Sequence, residues 1–245
     1  MPLGFDPLAF RPEQIGNLMK TYPKIETLYN RGDDFKVDFS LRRPEFGLIN
    51  KWMVQEKVDG TNIRVNYSLD RQPVMHFGNA QPAFVFGGRT DNALLPAPLL
   101  ARLNEIFDDE QAAECRARCV EYGVREITFF GEGFGPGIQN GSLYGPSVDF
   151  ICFDILVDDR TWLQPADVIE VCAEQEILRV PILGWHTTSE IEEMVRKGVR
   201  SQIAPNAIPA CEGIIARPIQ NLFDQRGNRV MFKLKTTDFP LTEIC

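Results

Sequence analysis

Trp52-Met53-Val54-Gln55-Glu56-Lys57-Val58-Asp59-Gly60-Thr61-Asn62-Ile63-Arg64-Val65-Asn66-Tyr67 is the stretch that decides the fold. Its ends read as two strands, Trp52–Glu56 and Thr61–Tyr67, bracketing the turn Lys57–Gly60. In the second strand Ile63, Val65 and Tyr67 alternate with Asn62, Arg64 and Asn66. That period of two is what a strand with one buried face shows. A lysine closing a strand before a glycine turn is held rigidly and can point into a cleft. Taken alone it is unremarkable: turn lysines are usually solvated, and Asp-Gly is a common hairpin turn.

Working outward, further strands are predicted at Val74–Phe77, Ala83–Phe86, Glu126–Gly131, Val148–Val157, Thr161–Leu163, Gly213–Arg217 and Arg229–Lys235. Helical periodicity covers Ala97–Phe107, Glu110–Tyr122, Asp167–Gln175 and Ser189–Lys197, the last opened by Ser189 as N-cap. Strands and helices come in clusters rather than in strict alternation. This favours an α+β fold with antiparallel sheets over a doubly wound α/β fold. Residues 1–50 show no pattern that places their fold.

The chain has 245 residues, 44% hydrophobic and 24% charged, ordinary values for a globular protein with one large core or two closely packed lobes. No run of 18 apolar residues exists and Met1–Phe10 lacks a basic, then apolar, leader, so neither a membrane span nor a signal peptide is expected and the location expected is cytoplasmic. The six cysteines form no C-x-x-C pair, and the two histidines are not near them in sequence, which reads as reduced, buried thiols rather than a zinc site. A net charge of −8 argues against non-specific coating of nucleic acid, although a local basic patch is compatible with it.

Four more segments carry chemistry. Gly87-Gly88-Arg89-Thr90 reads by itself as a loop with a simple surface arginine, although two glycines would let Arg89 approach a phosphate closely. In Phe129-Phe130-Gly131-Glu132-Gly133-Phe134-Gly135 an apolar strand ends in a glycine-flanked acid suited to accepting from a ribose hydroxyl. It is neither a Walker A loop nor a dinucleotide fingerprint. Val148–Ile155 is an apolar strand carrying two acids, in which Phe150 reads as core and Phe153 as core or as a base stacker. Finally, Glu212-Gly213-Ile214-Ile215-Ala216-Arg217 precedes Phe232-Lys233-Leu234-Lys235, where two lysines share one strand face. An exposed edge explains such a pair simply, and a bound polyphosphate explains it more sharply.

K-x-D-G, F-x-G-E-x-F-G, F-D-I, E-G-I-I-A-R and K-L-K, in that order over roughly residues 54–238, resemble the motifs of the covalent nucleotidyltransferase superfamily of DNA ligases, RNA ligases and capping enzymes. The wording E-K-V-D-G-T-N and the spacing from Glu212 to Lys233 are most similar to the ATP-dependent RNA ligases. DNA ligases often carry an arginine near the place of Asn62. The resemblance implies an antiparallel-sheet, ATP-grasp-like nucleotidyltransferase domain with flanking helices and a central cleft. It implies ATP and Mg²⁺ (or Mn²⁺) as cofactors and RNA with 5′-phosphate and 3′-hydroxyl ends as partner.

On this resemblance Lys57 attacks the α-phosphate to form lysyl-AMP, with Lys233, Lys235 and a metal favouring its neutral amine. Glu132 takes the ribose, Phe153 the adenine, Arg89 a phosphate, and Glu212 the metal. Glu56, Asp59, Gly60 and Asn62 match nucleotide-binding positions, and Arg64 is expected as a second phosphate contact. A capping-type guanylyltransferase, or a nucleotide-binding module without turnover, are the alternatives. Residues 1–50 are expected to pack on or lead into a catalytic domain of residues 51–245. No C-terminal OB-fold is expected after Lys235, so RNA grip would be weak or would come from residues 1–50 or a partner protein.

Overall fold

The computed structural model describes residues 19–33, 37–71, 82–204 and 211–239. The strand expected at Val74–Phe77 lies outside the described residues. Twelve strands are present among those described: β1 (Glu26–Thr27), β2 (Tyr29–Arg31), β3 (Val37–Leu41), β4 (Trp52–Lys57), β5 (Thr61–Ser68), β6 (Phe84–Gly87), β7 (Glu126–Phe134), β8 (Asp149–Val157), β9 (Thr161–Trp162), β10 (Ile182–His186), β11 (Gly213–Arg217) and β12 (Phe232–Lys235). Four α-helices accompany them: α1 (Ala97–Ile106), α2 (Asp109–Tyr122), α3 (Pro165–Glu174) and α4 (Thr188–Arg196).

The strands form two five-stranded sheets, ordered β1-β12-β11-β4-β10 and β6-β5-β7-β8-β9, and a small β2-β3 ribbon. The α+β architecture with antiparallel sheets is therefore as expected. The one exception in the ladders is β1, which runs parallel to β12. Strands β4 and β5 do not form a hairpin. They belong to different sheets, so Lys57–Gly60 carries the chain from one sheet to the other.

Each sheet has its own core. Helices α1, α2 and α3 cover the β5-β7-β8 sheet, burying Leu99, Leu103, Cys115, Cys119, Val168 and Cys172 against Ile63, Val65, Phe129 and Phe150. Helix α4 covers the other sheet, burying Ile191 and Val195 with Trp52, Val54, Ile214, Phe232 and Leu234. Burying a large apolar side chain contributes roughly 1.5–3 kcal/mol, so these stripes hold each layer. Cys115, Cys119, Cys152, Cys172 and Cys211 are buried and free.

Several boundaries differ from expectation for identifiable reasons. Helix α4 is capped by Thr187 rather than Ser189. The Thr187 hydroxyl accepts from Glu190 N–H at 3.3 Å, and the Glu190 carboxylate accepts from Thr187 N–H at 2.7 Å, a reciprocal box. The last strand begins at Phe232, because Arg229 makes only an isolated bridge to Phe223 and commits its side chain elsewhere. Strand β7 runs on through Gly131 and Gly133 to Phe134. Strand β10, interrupted by Gly184, and strands β1–β3 gave no sequence signal.

Candidate functional site

A cavity of about 440 Å³ opens between the two sheets, within the usual range for small-molecule sites. Of the residues singled out for nucleotide binding, all but Arg64 line it: Glu56, Lys57, Asp59, Gly60, Asn62, Arg89, Glu132, Phe153, Glu212, Lys233 and Lys235.

Lys57 ends β4 at the cavity wall. Gly60 is required three residues on: a Cβ there would sit 2.3 Å from the Gly133 carbonyl oxygen, so the turn lies directly on β7. Asp59 is pinned twice, its N–H donating to Tyr144 Oη at 2.9 Å and its carboxylate accepting from Asn140 Nδ2 at 2.7 Å. In the ladder, Gly213 faces Lys57 on one side and Lys235 on the other. The preceding residue, Glu212, forms an ion pair with both lysines through its two oxygens. The immediate neighbour of Lys57 is thus a carboxylate, where cations were expected. Burial opposes the Glu212 anion, but hydrogen bonds from Lys235 and Lys57 outweigh it and hold the carboxyl below its usual range.

Lys233 shares the strand face of Lys235 and takes no ion pair among the described residues. Burial, and then the charges of Lys235, Lys57 and Lys24, push its ammonium below the usual lysine range. Across the cavity, Glu132 on β7 faces Asn62 on β5. Burial raises the Glu132 carboxyl to about 8; Lys57 opposes the shift, and Glu212 and Asp59 add to it. Near neutrality Glu132 therefore keeps a proton and can donate as well as accept. Asn62 Oδ1 is buried without a hydrogen-bond partner, which leaves an acceptor free for a ligand. Glu56 accepts from Ser201 Oγ at 2.5 Å and Gln202 N–H at 2.8 Å. Burial raises its carboxyl against those two bonds.

Phe153 owes its orientation to an irregularity. The β7-β8 register shifts between Phe130 and Gly131, so that Phe130 faces Asp154 and Gly131 faces Cys152. Phe153 is the extra residue of this bulge, a device that re-aims a side chain. It stays half-buried at the cavity while Phe150 and Asp154 are fully buried. Tyr22 packs edge-on against its ring at 4.9 Å and 75°. Arg89 is exposed at the mouth of the cavity.

Arg64 is not a phosphate contact. It is fully buried and donates to Gly88 O at 2.7 Å, Met19 O at 2.6 Å and Asp91 Oδ1 at 3.0 Å. It braces the loop that presents Arg89. Residues lining the cavity that sequence reasoning did not assign include Tyr22, Lys24, Gln139, Arg217 and Met231. Only Arg217 carried a signal, at the end of the E-G-I-I-A-R segment. Among the described residues no cluster of three or more His, Cys, Asp or Glu could hold a metal by itself, and no helix is long and apolar enough to cross a membrane. A divalent cation here would need Glu212 together with ligand oxygens and water, the way Mg²⁺ is commonly held.

An RNA ligase family model matches residues 50–235. None of the curated proteins compared matches the chain in sequence. Among solved structures, a Naegleria gruberi RNA ligase variant with ATP and Mn is similar at 18% identity and a TM-score of 0.56, covering 89% of this chain and 62% of that one. Another variant of the Naegleria gruberi ligase, with AMP and Mn, gives 18% and 0.56, covering 88% and 62%. The Naegleria gruberi ligase with PPi gives 19% and 0.55, again covering 88% and 62%. At this identity the likeness concerns the fold, and the chain spans less than two thirds of the length of those structures.

Proposed function

The chain belongs to the RNA ligase family, and on that premise we propose that it is an ATP-dependent RNA ligase with Lys57 as the nucleophile. The observation that carries the proposal is convergence. Five segments spread from residue 56 to residue 235 place a lysine, two flanking lysines, a bulge-presented aromatic ring and four acids around one cavity. The structurally similar Naegleria gruberi enzyme, with ATP or AMP and Mn, supports the choice of ligand class. In this reading the two sheets form an ATP-grasp-like domain of residues 51–245 closing on a central cleft, with residues 1–50 packed on or leading into it.

The chemistry follows from the side chains. The Lys57 amine attacks the α-phosphorus of ATP, a P–N bond forms, the bond to the β-phosphate oxygen breaks, and pyrophosphate leaves. The RNA 5′-phosphate oxygen then displaces Lys57 from the α-phosphorus. The 3′-hydroxyl attacks the resulting 5′-pyrophosphate linkage, and AMP leaves. An ammonium has no lone pair, so Lys57 must lose a proton, and with it the ion pair to Glu212, before it reacts. Glu212 would hold Mg²⁺ or Mn²⁺, which would neutralise phosphate charge when bound. Lys233 and Lys235 hold phosphates, Phe153 the adenine face, Glu132 and Asn62 the ribose, and Glu56, Asp59, Gly60 and Arg89 complete the nucleotide site.

The test is incubation with α-labelled ATP or GTP and Mg²⁺ or Mn²⁺. The expected result is a protein-bound label from ATP, stable in alkali and cleaved in acid, and absent in Lys57→Ala. Label from GTP alone would make this a capping-type guanylyltransferase. No label from either would leave a nucleotide-binding module. Sealing assays on nicks, loops and free ends carrying 5′-phosphates then define the RNA substrate and show whether a partner protein is needed to hold it.

A further inference from the structure

Tyr22, Pro23, Lys24 and Ile25 lie outside every motif found in the sequence, yet all four line the cavity. The segment is fixed at both ends. On one side the Tyr22 hydroxyl donates to Asp154 Oδ2 at 2.7 Å and accepts from Arg229 Nη2 at 2.9 Å, and its ring packs on Phe130, Phe153 and Trp162. On the other, Glu26–Thr27 pairs with Phe232–Lys233, and Leu28 N–H donates to Lys233 O at 3.1 Å. Lys24 stands between these anchors, two residues from each. A lysine on a free loop samples solvent; one held between a buried hydroxyl and a strand is delivered to a defined place.

That place is the wall of the cavity that Lys233 also lines, Thr27 pairing with Lys233 in the ladder, and the charge of Lys24 reaches the Lys233 ammonium. Lys57 and Lys235 share Glu212, whereas neither Lys24 nor Lys233 has a carboxylate partner within 4.0 Å among the described residues. Of the other acids of the cavity, Glu56 is turned to Ser201 and Gln202 and Asp59 to Asn140, while burial raises the Glu132 carboxyl to about 8. Four lysines around one shared carboxylate repel one another unless a polyanion lies among them.

We propose that Lys24 is a further phosphate-binding residue of this site, taking the β- and γ-phosphates of ATP beside Lys233 and then the departing pyrophosphate. The proposal rests on the reading of Lys57 as the nucleophile, which places the α-phosphate at Lys57 and the rest of the triphosphate towards Lys233. Lys24 is supplied by the segment that precedes the family match, so the phosphate end of the site is incomplete without it.

The experiment compares ATP, AMP and inorganic pyrophosphate on the full chain. ATP is read as the KM for Lys57 adduct formation, AMP as direct binding, and pyrophosphate as inhibition of adduct formation. Loss of one charge-assisted phosphate contact in Lys24→Ala is expected to weaken ATP and pyrophosphate by about tenfold. AMP, which lacks the outer phosphates, is expected to bind unchanged. Lys24→Arg should restore ATP and pyrophosphate, and Lys24→Glu should weaken them further. Equal weakening of AMP and ATP would overturn the proposal, because a general disturbance of the pocket would then account for it. An unchanged Lys24→Ala would also overturn it. If the wild-type chain takes up neither ATP nor pyrophosphate, the nucleotide reading falls first and the role of Lys24 falls with it.

Discussion

Among the described residues two carboxylates are each shared by two cations, and they serve opposite ends. Asp154, on β8, takes Arg229 at 2.6 Å and Arg217 at 3.3 Å and accepts from the Tyr22 hydroxyl. Its side chain is 1% exposed. Arg217 belongs to the other sheet, so this cluster bolts the two sheets together. Arg229 is braced in turn by the Trp162 ring, 3.7 Å from its guanidinium carbon. Glu212, just before β11, takes Lys57 and Lys235 of the same sheet, and is 20% exposed at the cavity. Planar guanidinium groups on a buried acid make a fixed joint, while flexible ammonium groups on a solvated acid can exchange partners. The difference separates what holds the cavity open from what can work inside it.

The strongest way to break the comparison is to remove each acid. Asp154→Ala leaves two guanidinium groups buried without their anion, and is expected to cost about 3–5 kcal/mol. Urea unfolding would read it, and a loss under 1 kcal/mol would show that the cluster is not a joint. Glu212→Ala should leave stability within about 1 kcal/mol, as for a partly exposed pair. The same variant is expected to slow Lys57 adduct formation by about a hundredfold, the scale of losing one electrostatic contact at a reacting centre. A variant that unfolds as readily as Asp154→Ala would erase the distinction.

The smallest effect is on pH dependence. Arg229 and Arg217 hold the Asp154 carboxyl below its usual range despite burial. Its contribution is therefore present at neutral pH and is lost as pH falls through the folded-state value. Glu132 runs the other way. Its carboxyl is raised from 4.5 to about 8 in the fold, so the folded state holds a proton that the unfolded state has released. Stability is then lost as pH rises from about 4.5 towards 8. Glu132→Gln is expected to flatten thermal stability across that window and to leave the acid limb unchanged. A wild-type curve with no fall on the alkaline side would contradict the assignment.

The motifs were legible because ligand chemistry restricts residue type at short range. Lys57 with Gly60, Glu132 between glycines, and Lys233 with Lys235 are each local patterns, and their order along the chain carried the resemblance. The tight turn at Gly60 was visible as a glycine, but not its cause, which is the Gly133 carbonyl 73 residues further along. Arg64 shows the limit most plainly. Strand alternation put it on the face of Asn62, yet its guanidinium is used by Met19, Gly88 and Asp91. Periodicity assigns a face and does not say whether that face meets solvent or another segment of the chain.

By itself the sequence determined the α+β class, most of the central strands and helices, and, through the resemblance its motifs carry, eleven of the residues around the cavity, because hydrophobic period and motif spacing are properties of neighbouring residues. Only the tertiary structure decided that β4 and β5 part into separate sheets, that a bulge turns Phe153 towards the cavity, and that Glu212 joins Lys57 to Lys235. It also decided that Tyr22 and Lys24, which carry no motif, reach the site through a parallel strand and a buried hydroxyl. Those features depend on pairings between residues far apart in the chain, and such pairings are set by which packing satisfies every buried charge and backbone group at once.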